Sequence, residues 1–248
     1  MTDRLRALLF PPKCAACRSL LDWYGATEES VALCEHCRKR WDSERLEVCG
    51  QCAKVITECT CMPDALRRSR CRVLRKLVFY RHATREPIQN RLIYRIKEMR
   101  DRRTISFLAI SLLPALLELL ASDSVSEEDV VLTWAPRGRG ARLLYGTDQA
   151  RELARALSAL SGVPCKGLLK RRHGRSRVQK TLDAKARRAN AAAAFGLTRA
   201  ARNISDTVIL VDDIVTTGES MAACVRLLRM AGARRVMALS VAVDDQKK

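Results

Sequence analysis

The stretch from Val208 to Ser220 limits what this chain can fold into more than any other. Val208, Ile209, Leu210 and Val211 form an unbroken apolar run rich in β-branched residues, which reads as a fully buried strand. Asp212 and Asp213 stand at its carboxyl end. A short loop follows, holding Thr216, Thr217, Gly218, Glu219 and Ser220, and Met221, Val225 and Leu228 then mark the apolar side of a helix. The loop therefore opens onto a helix amino terminus, where unpaired N–H groups and the helix dipole attract an anion. The hydroxyls add donors, and Gly218 lets backbone approach the ligand closely.

Two carboxylates beside a phosphate cradle would repel a bare phosphate. They fit a sugar phosphate, whose ester sits on the N–H groups while its vicinal hydroxyls donate to the acids, and a divalent cation eases the charge balance. The stretch resembles the phosphoribosyl diphosphate (PRPP) motif of type I phosphoribosyltransferases. Asp212 and Asp213 fall on that motif's acidic pair, and Thr216, Thr217, Gly218, Glu219 and Ser220 on its phosphate loop.

Eleven cysteines form the second strong signal, and all but Cys165 and Cys224 lie between Cys14 and Cys71. Cys14 and Cys17, Cys34 and Cys37, and Cys49 and Cys52 are each separated by two residues, and Cys59 and Cys61 by one. Two such knuckles complete a closed tetrahedral thiolate site for Zn²⁺. Neighbouring knuckles give Cys14, Cys17, Cys34 and Cys37 for one site and Cys49, Cys52, Cys59 and Cys61 for another. Interleaved pairing remains open, and the short last knuckle leaves the number of zinc ions at one or two. Filled by protein ligands, such sites are structural, and a segment poor in large apolar residues needs that staple. Residues 1–65 are thus expected to form a small metal-binding module and residues 66–248 a larger domain.

The chain of 248 residues carries a net charge of +19, and 48% of it is apolar with only 4% aromatic. An aliphatic core is expected, together with a polyanionic partner or substrate, although a general bias toward Arg gives the same excess. The start of the chain lacks a secretory pattern, the apolar segment 105–121 reads as a buried helix, and a cytoplasmic protein without a membrane span is expected.

Val73 to Tyr80 reads as a strand. Ile88, Leu92, Ile96 and Met99 then share one helical face, and a polar turn follows through Arg103. The Lys and Arg residues of this region suit a solvated helix surface or a phosphate-facing rim equally. Leu108 to Leu120 reads as a helix, Val130 to Ala135 as a buried strand, and Arg137, Arg139 and Arg142 lie in a glycine-rich loop before a helix capped by Thr147 or Asp148. Residues 166–190 read as a mobile basic loop containing His173, followed by a helix from Leu182 to Ala194. Arg234 to Val243 supplies another strand. Strands alternating with helices imply an α/β fold with a parallel sheet flanked by helices, its ligand at the carboxyl edge.

Two further blocks narrow the resemblance. Residues 135–150, with Pro136, Arg137, Gln149 and Ala150, look like the Pro…Arg…Arg-Gly-Phe-Asn-Gln-Ala block of the ComF (GntX) family, and residues 179–195 like its Gln-x-x-Leu…Arg-Arg-x-Asn…Phe block. Ile93 to Lys97 is similar to its Ile-x-x-Leu-Lys helix, and the family also begins with paired cysteines. The chain departs from the pattern at Leu144, Tyr145 and Asp148. The resemblance implies a type I phosphoribosyltransferase-like domain that binds PRPP with Mg²⁺. Asp212 and Asp213 would work at the ribose, the 216–220 loop at the 5′-phosphate, and Arg137, Arg139 and Lys97 at the diphosphate. It also implies a link to DNA uptake in natural transformation, with competence or DNA-processing proteins as partners. A contrasting reading is a non-catalytic protein that binds single-stranded DNA through the zinc module and basic loops, with Trp23, Trp41, Tyr80 and Trp134 as the few rings able to stack on bases.

Overall fold

The computed structural model describes residues 11–21, 32–81, 86–98, 101–122, 129–137, 148–172 and 194–244. Its centre is a four-stranded sheet built from β1 (Leu74–Tyr80), β2 (Val130–Trp134), β5 (Thr207–Val215) and β6 (Arg235–Asp244), in the order β1-β6-β5-β2. Every pairing in it is parallel, with Ile209 opposite Leu132 on one side and Met237 on the other. A separate antiparallel pair, β3 (Leu169–Arg171) and β4 (Phe195–Leu197), stands beside it.

A parallel sheet has to be covered on both faces, which is why Val208 to Val211 form a continuous apolar run without alternation. Ile209 and Val211 point into one core, Val208 and Leu210 into the other. The first core is closed by α3 (Ile88–Glu98), α4 (Arg102–Ser122) and α5 (Gln149–Ser161) through Leu92, Leu112 and Leu153. The second is closed by α6 (Glu219–Met230) and the short α2 (Asp64–Arg68), with Val225 and Leu66, and by Phe195.

The cysteine-rich region packs into both cores. Cys14, Leu33, Cys37 and Trp41, the last on α1 (Glu35–Arg45), join the first, where the Trp41 ring lies 5.7 Å from that of Phe107 on α4. Cys49, Ile56 and Cys59 join the second. The step from residue 65 to 66 falls inside α2.

The strands near 130, 207 and 235 and the helices after 88, 148 and 218 stand where the sequence puts them. Three differences have physical causes. The polar stretch before Thr104 is helical from Arg102, because Asp101 caps that helix: its Oδ1 accepts the Arg103 N–H at 3.2 Å and its Oδ2 the Thr104 hydroxyl at 2.9 Å. Helix α4 is thereby extended, and its segment Arg102–Ala121 is long and apolar enough to cross a membrane, at a mean hydropathy of 2.0. Half of that segment is buried inside the fold, where Leu108, Leu112 and Leu116 face the sheet, as expected of a core helix. The basic stretch read as a loop begins with β3, paired to β4 through Leu169 and Leu197. The expected helix from Leu182 lies outside the described residues, apart from Ala194, which is in a turn.

Asp101→Ala should lower stability by about 1 kcal/mol through loss of the cap, and Asp101→Asn, which keeps an acceptor, by less. Denaturant midpoints of the two variants check this.

Candidate functional site

At the carboxyl edge of the sheet a cavity of about 610 Å³ opens above the ends of β1, β2 and β5. Asp212, Asp213, Thr216, Thr217, Gly218, Glu219, Ser220, Arg137 and Lys97 all line it. Arg139 lies outside the described residues, as do Arg142 and His173. The chain thus gathers residues more than a hundred positions apart around the acid pair.

The two carboxylates differ in environment. Asp213 is 4% exposed, and its Oδ2 accepts from Arg137 Nη2 at 2.6 Å and lies 3.7 Å from Lys97 Nζ. Burial alone would raise its pKa, but Lys97 and Arg137 outweigh that and hold it below the usual carboxylate range. Asp212 is pushed well above that range, first by burial and then by the charge of Asp213. Both also brace the backbone: Asp212 Oδ1 accepts the Asp213 N–H at 2.8 Å, and Asp213 Oδ1 the Ile214 N–H at 2.9 Å. Hard oxygen donors at the floor of a pocket, one of them destabilised as an anion, suit Mg²⁺.

Thr216 and Thr217 on the loop after β5, and Ser220 in the first turn of α6, are exposed. Gly218 has φ +74° and stands at the N-cap position of α6, and the first residues of that helix, Glu219 to Met221, line the cavity. A side chain at Gly218 would be strained by that backbone conformation and would crowd the Pro63 ring, whose Cβ would lie 3.1 Å from an added Cβ.

Sequence reasoning missed several contributors. Tyr80, Arg171 and Phe195 line the cavity, and the Arg171 guanidinium stands 5.0 Å from the centre of the Phe195 ring. Strand β3 has three residues, too few for a period to register. Asp148 occupies the N-cap position of α5 without capping it, and its Oδ2 instead accepts the Arg137 N–H at 3.1 Å. Gln149 Nε2 donates to the Lys97 carbonyl at 3.2 Å, tying the end of α3 to the start of α5. The Asp-Gln pair in the block after Arg137 was the available signal, but nothing in it says that both side chains brace the cations.

Away from the cavity, the cysteines form two groups, Cys14, Cys17, Cys34 and Cys37, and Cys49, Cys52, Cys59 and Cys61, with all sulfurs of a group within 4.8 Å of one another. Neighbouring knuckles therefore pair, and the interleaved alternative drops out. The Cys17 and Cys34 sulfurs are 3.6 Å apart and those of Cys52 and Cys59 3.5 Å. With Zn–S bonds of about 2.3 Å a tetrahedral site has edges of about 3.8 Å, so both groups fit zinc. The short last knuckle closes its group as well as the others do. His36 is exposed and Cys71 is buried apart from both groups.

Residues 146–248 match the family of phosphoribosyl transferase domains. Among solved structures, a purine phosphoribosyltransferase from Pyrococcus horikoshii Ot3 is similar over 55% of this chain and 74% of its own, at 19% identity and a TM-score of 0.31. No curated protein matches the chain. The matched segment carries Asp212, Asp213, the 216–220 loop, α6 and β6, whereas Lys97, Arg137 and both cysteine groups lie before it.

Metal analysis of the purified chain should give two zinc ions, with Cys17→Ser and Cys61→Ser each losing one. A wild-type value of one would leave one group without an ion.

Proposed function

We propose that the chain binds PRPP with Mg²⁺ and transfers its phosphoribosyl group to an acceptor nucleophile, as a phosphoribosyltransferase-like protein of the ComF family. The observation that carries this reading is the pairing of Asp213 with both Lys97 and Arg137 beneath an open hydroxyl loop. The pocket offers cations for a diphosphate, carboxylates for ribose hydroxyls and helix N–H groups for an ester phosphate. PRPP carries these three features together. The match of residues 146–248 to phosphoribosyl transferase domains supports it.

In the proposed reaction the acceptor attacks the anomeric carbon, the bond from that carbon to the diphosphate oxygen breaks, and the diphosphate leaves with the bonding pair. The sugar passes through oxocarbenium character, so positioning and charge do most of the work. Residues 216–220 hold the 5′-phosphate, while Asp212 and Asp213 hold the ribose hydroxyls. Arg137 and Lys97 turn from Asp213 toward the leaving diphosphate, and Arg139 joins them. Asp212 and Asp213 are the residues that would hold Mg²⁺, which would supply further charge neutralisation. Residues 1–65 serve as the zinc-binding part and residues 66–248 as the catalytic part.

PRPP binding measured calorimetrically with Mg²⁺ tests this. Asp212→Asn with Asp213→Asn should weaken it by about tenfold or more, the worth of one or two charge-assisted hydrogen bonds. Equal affinities would remove the reading.

A role in DNA uptake would require binding of single-stranded DNA, and a basic edge is the feature that would serve it. Lys170 and Arg171 are exposed on β3 and Arg172 directly follows, so a cationic edge adjoins the cavity. If that edge tracks a single strand of DNA, affinity for an oligonucleotide should fall linearly on a log–log salt plot, with a slope of about −0.7 per phosphate neutralised. A flat salt response would reject it.

A further inference from the structure

The second cysteine group and the 216–220 loop meet at one residue. Pro63 follows Cys61 by two positions and opens α2, its carbonyl accepting the Leu66 N–H at 2.9 Å. Its ring fills the space a side chain at Gly218 would need, and α2 packs along α6. Gly218 sets the direction in which the first N–H groups of α6 point. On the other side, Lys76 of β1 is 1% exposed, and its ammonium donates to the Cys61 carbonyl. A continuous path therefore runs from the sheet through Lys76 and Cys61 to Pro63 and Gly218.

We propose that an ion held by Cys49, Cys52, Cys59 and Cys61 fixes the shape of the phosphate loop, with Pro63 as the positioning residue between them. The inference rests on reading residues 216–220 as the phosphate site. Residues 48–61 contain one isolated β-bridge, from Val48 to Val55, and otherwise turns and irregular backbone, so four thiolates closed on an ion would add a strong restraint to the burial of Ile56 and Cys59. A hollow of about 230 Å³ lined by Cys49, Cys61, Pro63, Lys76 and Phe79 lies directly beneath it. Without an ion the segment has room to sink into that hollow, carrying Pro63 away from Gly218 and letting the N–H groups drift off the phosphate. Among the described residues, no such path leads from the first cysteine group. That group sits in the opposite core, against Trp41 and α4. The two groups thus have different work: one holds a helix layer to the sheet, the other shapes the ligand site.

Ribose 5-phosphate titrated into the full chain, together with the amide resonance of Gly218 in the absence of ligand, tests the link. Pro63→Ala keeps all eight cysteines, and Cys61→Ser empties the second group. Each should weaken ribose 5-phosphate by about tenfold, the loss of one charge-assisted N–H···O bond, and each should shift the Gly218 resonance. Cys17→Ser, which empties the first group, should weaken it by less than either. Wild-type affinity in Pro63→Ala, or an equal loss in Cys17→Ser, would overturn the proposal. If wild type binds no ribose 5-phosphate but the Gly218 resonance still moves in Pro63→Ala and with loss of the second ion, the mechanical link stands and the sugar-phosphate reading falls. An unmoved resonance overturns the link itself.

Discussion

A parallel sheet has no face to give to water, and this chain must cover two with few large side chains. Its aromatic content of 4% leaves aliphatic helices to do most of that work. Helices α3 to α5 close one side, and α6 with the short α2 the other. The cysteine-rich region completes both, contributing Trp41 to one core and Ile56 to the other, each almost fully inaccessible. Such side chains are worth roughly 1.5–3 kcal/mol each when buried, but only if the loops that carry them hold still. Tetrahedral thiolate sites are a compact way to still loops that have almost no regular structure of their own.

The same economy governs the carboxyl edge of the sheet. Burying one carboxylate is costly, and burying two adjacent ones is worse. Asp213 is made tolerable by two cations from different elements, Lys97 at the end of α3 and Arg137 after β2. Those cations are in turn held by backbone contacts from Asp148 and Gln149. The buried Asp213 carboxylate is therefore already paired before any ligand arrives. On the proposed reading, a phosphorylated sugar would trade partners with groups that are already paired rather than meet a naked carboxylate.

Much of this was legible in the sequence, and for definite reasons. The run Val208 to Val211 announces a strand buried on both sides, and Asp212 to Ser220 the turn from strand to helix at the mouth of the cavity, because residue type and local order suffice for both. The cysteine groups were legible because knuckle spacing is a local property. Their pairing was not, since it depends on how the chain returns, and the structure settles it in favour of neighbours. Pro63 against Gly218 was also hidden: the contact spans more than one hundred and fifty positions and leaves no periodic trace in either segment. Lys76 was hidden for the opposite reason. It reads as one more charge in a basic stretch, and only the fold makes it a fully buried ammonium bonded to a carbonyl. Strand β3 was lost to its brevity, and the start of α4 to a cap formed by a residue that also looks at home in a turn.

The strand order has a consequence for how the molecule comes into being. β6 sits between β1 and β5, although it follows every other described strand along the chain. Until it is made, β1 has no strand neighbour and the sheet that both layers of helices close upon is divided. A nascent chain must carry a large unfinished hydrophobic surface until β6 has left the ribosome, the condition in which assembly is slow and holdase chaperones are most needed. Thiolate sites near the start of the chain are able to close early from local ligands, giving that waiting polypeptide a folded anchor while its sheet is still open.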